Sequence, residues 1–145
     1  MDKFNEQILF ELSRDSSLTN IQLAERIGLS PSACLRRVQE LERAKIITGY
    51  KATIDTEQLG IGFKAFITVG LSVHTKTAQT QFEEAITLSK EVLECHNVTG
   101  AFEYILRVET KDLKSYKQFH TNVLGDIEQV ATITTHVVMD SVKDS

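Results

Sequence analysis

In the first third of the chain, apolar residues recur at helical spacing in three short blocks separated by polar breaks. Ile8, Leu9 and Leu12 mark a first helix, which Asn5 can cap and which Asp15-Ser16-Ser17 ends. Thr19 and Gln22 have capping-box spacing, with the hydroxyl serving an amide three residues on and the Gln reaching back; they open a second helix through Leu23, Ala24 and Ile27. Gly28 stands where a helix C-terminus tolerates left-handed backbone. Ser30 then caps a third helix, with Pro31 at the position where a missing N–H costs nothing. On a helical wheel Cys34, Leu35, Val38 and Leu41 gather on one side, and Ser32, Arg36, Gln39 and Arg43 on the other. The interval from Gly28 to Ser30 is the short turn of a helix-turn-helix. The expected core is Ile8, Leu12, Leu23, Ala24, Ile27, Leu35, Val38 and Leu41.

The period then changes. Ile46 to Asp55 has β-branched residues, a glycine break and near-alternation, and reads as a β wing and exit strand. Thr56 to Gly62, with Gly60 and Gly62, reads as a linker. From Phe63 the alternation is strict: Phe63, Ala65, Ile67, Val69, Leu71 and Val73 face one way. Helical spacing returns at Phe82, Ala85, Ile86 and Ser89. A strand from Val92 to Thr99, a turn at Gly100 and a strand through Phe102, Tyr104, Leu106 and Val108 follow. Asp112 can cap a helix carrying Leu113, Tyr116, Phe119 and Val123, and Val130 to Asp140 reads as the last strand. The fold class is therefore α+β: a winged helix-turn-helix over 1–55, a linker over 56–62, and a ferredoxin-like β-α-β-β-α-β unit over 63–145. Such a sheet has one face without helices. Phe66, Ile105 and Val138 fall there among polar residues, the composition of a self-association surface.

Composition narrows the class further. The chain of 145 residues is 41% hydrophobic and 25% charged, an ordinary globular balance. Its apolar runs are too short to span a bilayer and its first residues do not form a signal peptide, so a cytoplasmic location is expected, with no membrane partner. Cys34 and Cys95 make no disulfide framework and read as reduced, structural thiols. The net charge of −4 is uneven: positions 26 to 51 hold six basic residues against two acidic ones, a local +4, which leaves −8 for the rest. That local excess is what a nucleic-acid site needs. His74, His96, His120 and His136 lack metal-ligand spacing, Cys95 and His96 point to opposite faces of a strand, and no phosphate-binding or dinucleotide glycine motif is present. No metal and no cofactor are expected.

With both halves in view the chain resembles the Lrp/AsnC family of feast/famine regulators over nearly its whole length. The resemblance is carried by Ile8-Leu9 with Asp15, Leu23-Ala24-Glu25-Arg26, Gly28-Leu29-Ser30-Pro31, Cys34-Leu35-Arg36-Arg37-Val38 with Leu41-Glu42, and Ile47 with Gly49-Tyr50. It continues through Glu94-Cys95-His96, Val98-Thr99-Gly100, and Val137-Val138-Met139 before Lys143. It implies a DNA-binding regulator that forms dimers, often octamers, and is tuned by a small molecule, usually an amino acid.

On a dimer two recognition helices meet one side of the duplex, so a pseudo-palindromic operator is expected, with half-sites about 10 base pairs or a multiple apart. Arg36 and Arg37 lead the expected DNA contacts. Arg36 sits at the centre of the exposed face, where a two-point contact with guanine is worth roughly 1–3 kcal/mol of discrimination. Arg37 lies to its side, and the alternative for it is an ion pair within the domain. Ser30, Ser32, Ala33 and Gln39 complete the base-facing set, while Arg43, Lys45 and Lys51 suit phosphates.

The family usually has Gly-Asp-aromatic-Asp in the turn between the second and third strands, and here stands Gly100-Ala101-Phe102-Glu103-Tyr104. The resemblance thus implies an effector pocket of Val98, Thr99, Gly100, Ala101, Phe102, Glu103 and Thr135, with Ala101 removing one carboxylate. The family also commonly has glycine after the recognition helix, where this chain has Lys45; that residue either takes left-handed backbone or ends the helix by another turn. Two other readings share the architecture. One is a tetrapyrrole enzyme of the sirohaem decarboxylase type, for which only His96, His120 and His136 are candidate residues. The other is an amino-acid sensor that no longer binds DNA.

Overall fold

The computed structural model describes residues 1–144, in two compact units that meet between Ile54 and Asp55. In the first unit Asp2 is extended, and its side chain accepts the Asn5 N–H at 2.8 Å, so α1 runs Lys3–Arg14. Asn5 is therefore inside the helix and not its cap; the carboxylate three residues earlier takes the free amide first. The Thr19 capping box is formed in both directions and opens α2, Asn20–Ile27. Gly28 closes α2 at φ 77°, a conformation that costs a side chain but not glycine. Ser30 caps α3, Pro31–Arg43, by accepting the Ala33 N–H at 3.2 Å.

Ile8, Leu23, Ala24, Ile27, Cys34 and Leu41 form the buried core of this unit, with Leu12, Val38 and Ile47 packed against it. Leu35 is not part of it and stands 45% exposed. At about 100° per residue, Cys34, Val38 and Leu41 make a narrow stripe from which Leu35 is a quarter turn away, so Cys34 takes the place expected for it. The end of α3 is also decided. Lys45 adopts left-handed backbone at φ 60° and donates to Glu42 O, while Ile46 N–H reaches Leu41 O at 3.0 Å; this is a Schellman closure with lysine where glycine is usual.

The expected β wing is not formed. Residues 46–55 contain no strand, and Ile46, Tyr50 and Ile54 are exposed. Alternation alone does not make a strand, because the backbone groups need a second strand opposite them. Ile47 N–H instead completes the helix end on Leu41 O, and Tyr50 Oη donates to Glu42 at 3.2 Å.

In the second unit the stretch read as a linker is ordered. Thr56–Leu59 is a 3₁₀ turn capped by Asp55, and Gly62 N–H donates to Lys111 O at 3.0 Å. β1, Phe63–Leu71, buries every second residue as the alternation predicts; Val73 lies beyond it and is exposed. After it come α4 (Lys76–Thr87), β2 (Val92–Asn97), β3 (Tyr104–Thr110), α5 (Leu113–Phe119) and β4 (Val130–Val137). β2 and β4 are shorter than expected, Phe102 precedes β3, and Leu113 is exposed. Directly after α5 the chain makes a π-helical turn, His120–Leu124.

The sheet order is β2-β3-β1-β4 and every pairing is antiparallel. Phe82 and Ile86 of α4, and Tyr116 and Phe119 of α5, pack on Ala65, Ile67, Val69, Tyr104, Leu106 and Val108, so both helices cover one face. Each such fully buried large apolar side chain contributes about 1.5–3 kcal/mol. Ring contacts between Phe63 and Tyr116 (centroids 4.8 Å apart) and between Phe82 and Tyr104 (4.6 Å) seat the helices on the sheet. The opposite face holds Lys64, Phe66 and Thr68 of β1 beside Ile105, Arg107 and Glu109 of β3. Among the described residues no helix is long and apolar enough to cross a membrane, and no group of three or more potential ligands is set to hold a metal ion.

Candidate nucleic-acid interface and effector turn

α3 is held at its start and at its middle. Its start is fixed by Ser30, and Asn20 at the head of α2 donates its side-chain amide to Pro31 O at 2.7 Å, which ties the two helices of the turn together. Its middle is fixed by Arg37, which donates to Asp2 Oδ2 at 2.6 Å and to Asn5 Oδ1 at 3.1 Å. The same guanidinium lies over the Phe4 ring, 5.2 Å from its centroid. The Asp2 carboxyl is held below its ordinary value of 3.8, first by this Arg37 bond and then by the Asn5 amide. Arg37 is thus committed inside the domain and is withdrawn from the leading DNA contacts; on the wheel it flanks the core stripe, within reach of the start of α1.

Ser32, Arg36, Gln39 and Arg43 are all exposed on the opposite side of α3, and Ala33 is half-buried beside them. The Arg36 side chain has no hydrogen bond or ion pair among the described residues, nor do the side chains of Gln39, Arg43, Lys45 and Lys51. Ser30 is occupied by its cap and stands 3.4 Å from the Ser32 hydroxyl. The result is a capped helix whose solvent face carries free guanidinium and amide groups, the donor set that reads guanine and adenine edges.

The turn between β2 and β3 is closed on itself. Val98 N–H and the Asn97 side chain both donate to Glu103 O, at 2.8 and 3.1 Å, and Gly100 crosses the tip at φ 125°. Thr99, Gly100 and Ala101 are exposed at that tip, while Val98 and Phe102 are half-buried. Glu103 N–H continues onto Val69 O, and its carboxylate folds back to accept the Leu71 N–H at 2.9 Å and meet His74 Nδ1 at 2.5 Å. Gly70 lies beneath it: a Cβ there would stand in ordinary contact, 3.5 Å, with Glu103 Oε2, and would collide with the Thr132 hydroxyl. The carboxylate therefore lies over the helix-free face at the end of β1.

Thr135 is not part of this group. It pairs with Ile67 on the helix-covered side of the sheet, and its hydroxyl bonds that of Tyr116. Gly70, His74 and Thr132 are the neighbours that the sequence did not reveal, since only the strand register brings them to Glu103. The glycine inside an otherwise apolar, strictly alternating strand is the one local sign, and the β1–β4 register shifts there.

A helix-turn-helix with an exposed basic face, joined to a four-stranded antiparallel unit covered by two helices on one side, is the build of a DNA-binding transcriptional regulator with a ligand-binding domain. Residues 1–48 match the family model described as winged helix-turn-helix DNA-binding, and residues 64–145 match the Lrp/AsnC ligand binding domain. The chain belongs to the Lrp/AsnC family. It is 36% identical over its whole length to a proline dehydrogenase transcriptional activator of Rhizobium radiobacter, covering 93% of that protein. It is 34% identical to the leucine-responsive regulatory protein of Escherichia coli K12, again over the whole chain and 88% of the relative. Among solved structures, a transcriptional regulator from Neisseria meningitidis in complex with L-Met superposes with a TM-score of 0.96 at 33% identity, covering all of this chain and 94% of that one.

Proposed function

We propose that this regulator reads a pseudo-palindromic operator with paired α3 helices and that an amino acid bound at the β2–β3 turn tunes the binding. The observation that carries the reading is the exposed, partner-free Arg36 at the centre of a helix fixed at its start by Ser30 and Asn20. Arg36 reads guanine, Ser32 and Gln39 contact neighbouring bases, and Arg43, Lys45 and Lys51 bind phosphates. Half-sites lie about 10 base pairs, or a multiple, apart. The chain self-associates as dimers, and dimers build octamers, through the helix-free face around Phe66, which is 45% exposed.

The amino-acid class of effector is supported by the L-Met complex of the Neisseria regulator and the leucine-responsive relatives. Thr99, Gly100 and Ala101 present backbone groups to it, and Glu103 sets the turn. Binding selection from a random DNA pool, followed by mobility shifts with Arg36→Ala, tests the DNA reading. Loss of preference at one base position per half-site is the expected result, and unchanged affinity and preference would defeat it. Calorimetry against the amino acids, with Glu103→Ala beside it, tests the effector reading; no heat at millimolar ligand would point to an effector-independent regulator.

A further inference from the structure

Away from the effector turn, the second unit has a cleft of about 540 Å³ at the end of the sheet. Its walls are pinned to one another. Gly62 N–H ties the strand entry at Ile61 to Lys111 O at 3.0 Å, Glu109 N–H ties β3 to Glu91 O at 3.1 Å, and Asp112 caps α5. The cavity is therefore formed before any ligand arrives.

Its chemistry is two-sided. Phe119, Val123 and Ile61 give an apolar floor, and Lys90 and Lys111 stand among its walls. The carboxylates nearby are already engaged: Glu91 accepts the Ser89 hydroxyl at 2.8 Å, and Glu109 meets Thr56 Oγ1 at 3.4 Å and Lys64 Nζ at 3.6 Å. Neither Lys90 nor Lys111 has an ion pair among the described residues, and the amides of Gln118 and Asn122 on the α5 side have no hydrogen bond. The π-helical turn that begins at His120 supplies Asn122 and Val123 to the wall, and such turns recur at binding sites.

We infer that this cleft is a second small-molecule site, for a small monocarboxylate with an apolar body. The carboxylate lies between the two ammonium groups and accepts from the Gln118 or Asn122 amide, and the apolar body rests on Phe119 and Val123. Two sources carry that chemistry: a zwitterionic amino acid and its 2-oxo acid. Neither lysine has a close ion pair, although Asp112 draws on the charge of Lys111; Glu109 faces Lys64 and Glu91 accepts the Ser89 hydroxyl, so the 2-oxo acid, which has no ammonium to satisfy, is the better fit.

Calorimetry on the full chain with 4-methyl-2-oxopentanoate and, separately, L-leucine tests this. The double variant Lys90→Gln/Lys111→Gln is expected to weaken oxo-acid binding at least tenfold, as lost charge-assisted contacts do. Glu103→Ala is expected to leave oxo-acid binding unchanged, which separates this site from the effector turn. Asn122→Trp, which fills the cleft from an exposed position, is expected to block it while circular dichroism and melting stay as in the parent. Oxo-acid binding with or without L-leucine binding, both dependent on the lysines, carries the inference. Absence of oxo-acid binding at 10 mM, binding indifferent to the lysines, or binding lost only in Glu103→Ala would overturn it.

Discussion

Asp2 and Arg37 form a clamp between the first residues of the chain and the middle of the recognition helix. One carboxylate oxygen of Asp2 caps α1 through the Asn5 amide, and the other receives Arg37 Nη1 at 2.6 Å. A basic residue that the linear pattern places beside the DNA face is thereby spent on holding that face in position.

The two adjacent arginines of α3 should then separate cleanly by mutation. Arg37→Ala loses the Asn5 bond and the Phe4 contact as well as the ion pair, and is expected to cost about 1 kcal/mol of stability in the first unit while base preference is retained. Arg36→Ala is expected to do the reverse, leaving stability within about 0.5 kcal/mol of the parent and removing one specific contact worth about 1–3 kcal/mol. Urea unfolding and binding selection, run on both variants, measure the two effects. Loss of base preference in Arg37→Ala at unchanged stability would return that residue to the DNA face.

The clamp should also be sensitive to acid. Asp2 is held below its ordinary value of 3.8, chiefly by the Arg37 bond, so its folded form binds a proton less readily than its unfolded form. Its contribution is complete above about pH 4 and is lost as pH falls through the depressed folded value. Asp2→Asn removes that dependence. Urea midpoints measured between pH 5 and pH 2.5 are expected to fall less steeply in the variant than in the parent, and parallel curves would show that the pair contributes nothing.

These relationships explain which parts of the fold were legible in the linear chain. The caps of α2 and α3 were, because Thr19 with Gln22 and Ser30 with Ala33 act over three residues and need nothing else, whereas the α1 cap falls to Asp2 and not to Asn5. The strict alternation from Phe63 to Leu71 was, because one face of that strand is wholly covered. Arg37 was not, because its partner stands 35 positions away at the start of α1. Alternation over 46–55 does not show whether a strand forms, because none stands opposite it among the described residues, and the face of Thr135 depends on the β1–β4 register. The helices and turn of the helix-turn-helix were therefore readable, though not the places of Asn5, Leu35 and Arg37, whereas the surroundings of Glu103 depend on three strands meeting.

Lys45 makes a separate prediction about stability. It is the one non-glycine residue with positive φ among those described, at 60°, and left-handed backbone costs an L-residue roughly 1–2 kcal/mol. Glycine removes that strain but adds entropy to the unfolded chain, about 0.4–1 kcal/mol. Lys45→Gly is thus expected to stabilise the first unit by about 0.5–1 kcal/mol in urea unfolding. On the proposal that Lys45 also meets a phosphate, the slope of log affinity for DNA against log salt is expected to become shallower by about one unit. A variant less stable than the parent would mean that the lysine side chain contributes more than its backbone costs.

Glu103 supports the effector turn by anchoring it, since both of its carboxylate oxygens already have partners. One accepts the Leu71 N–H at 2.9 Å and the other meets His74 at 2.5 Å, and the side chain is only 16% exposed. Glu103→Ala leaves the Leu71 amide without its acceptor at the end of β1, and an unsatisfied half-buried donor costs about 1–3 kcal/mol. Glu103→Gln keeps an oxygen for that amide and loses only the pairing with an exposed histidine, which is worth little. The expected order of thermal stability is therefore parent, then Gln close behind, then Ala well below. If the turn binds its effector through backbone groups, affinity should follow the same order, with Gln near the parent. If instead the carboxylate charge itself held the ligand's ammonium, Gln and Ala would lose affinity alike while differing in stability. Melting curves and calorimetry on the same three proteins distinguish the two arrangements.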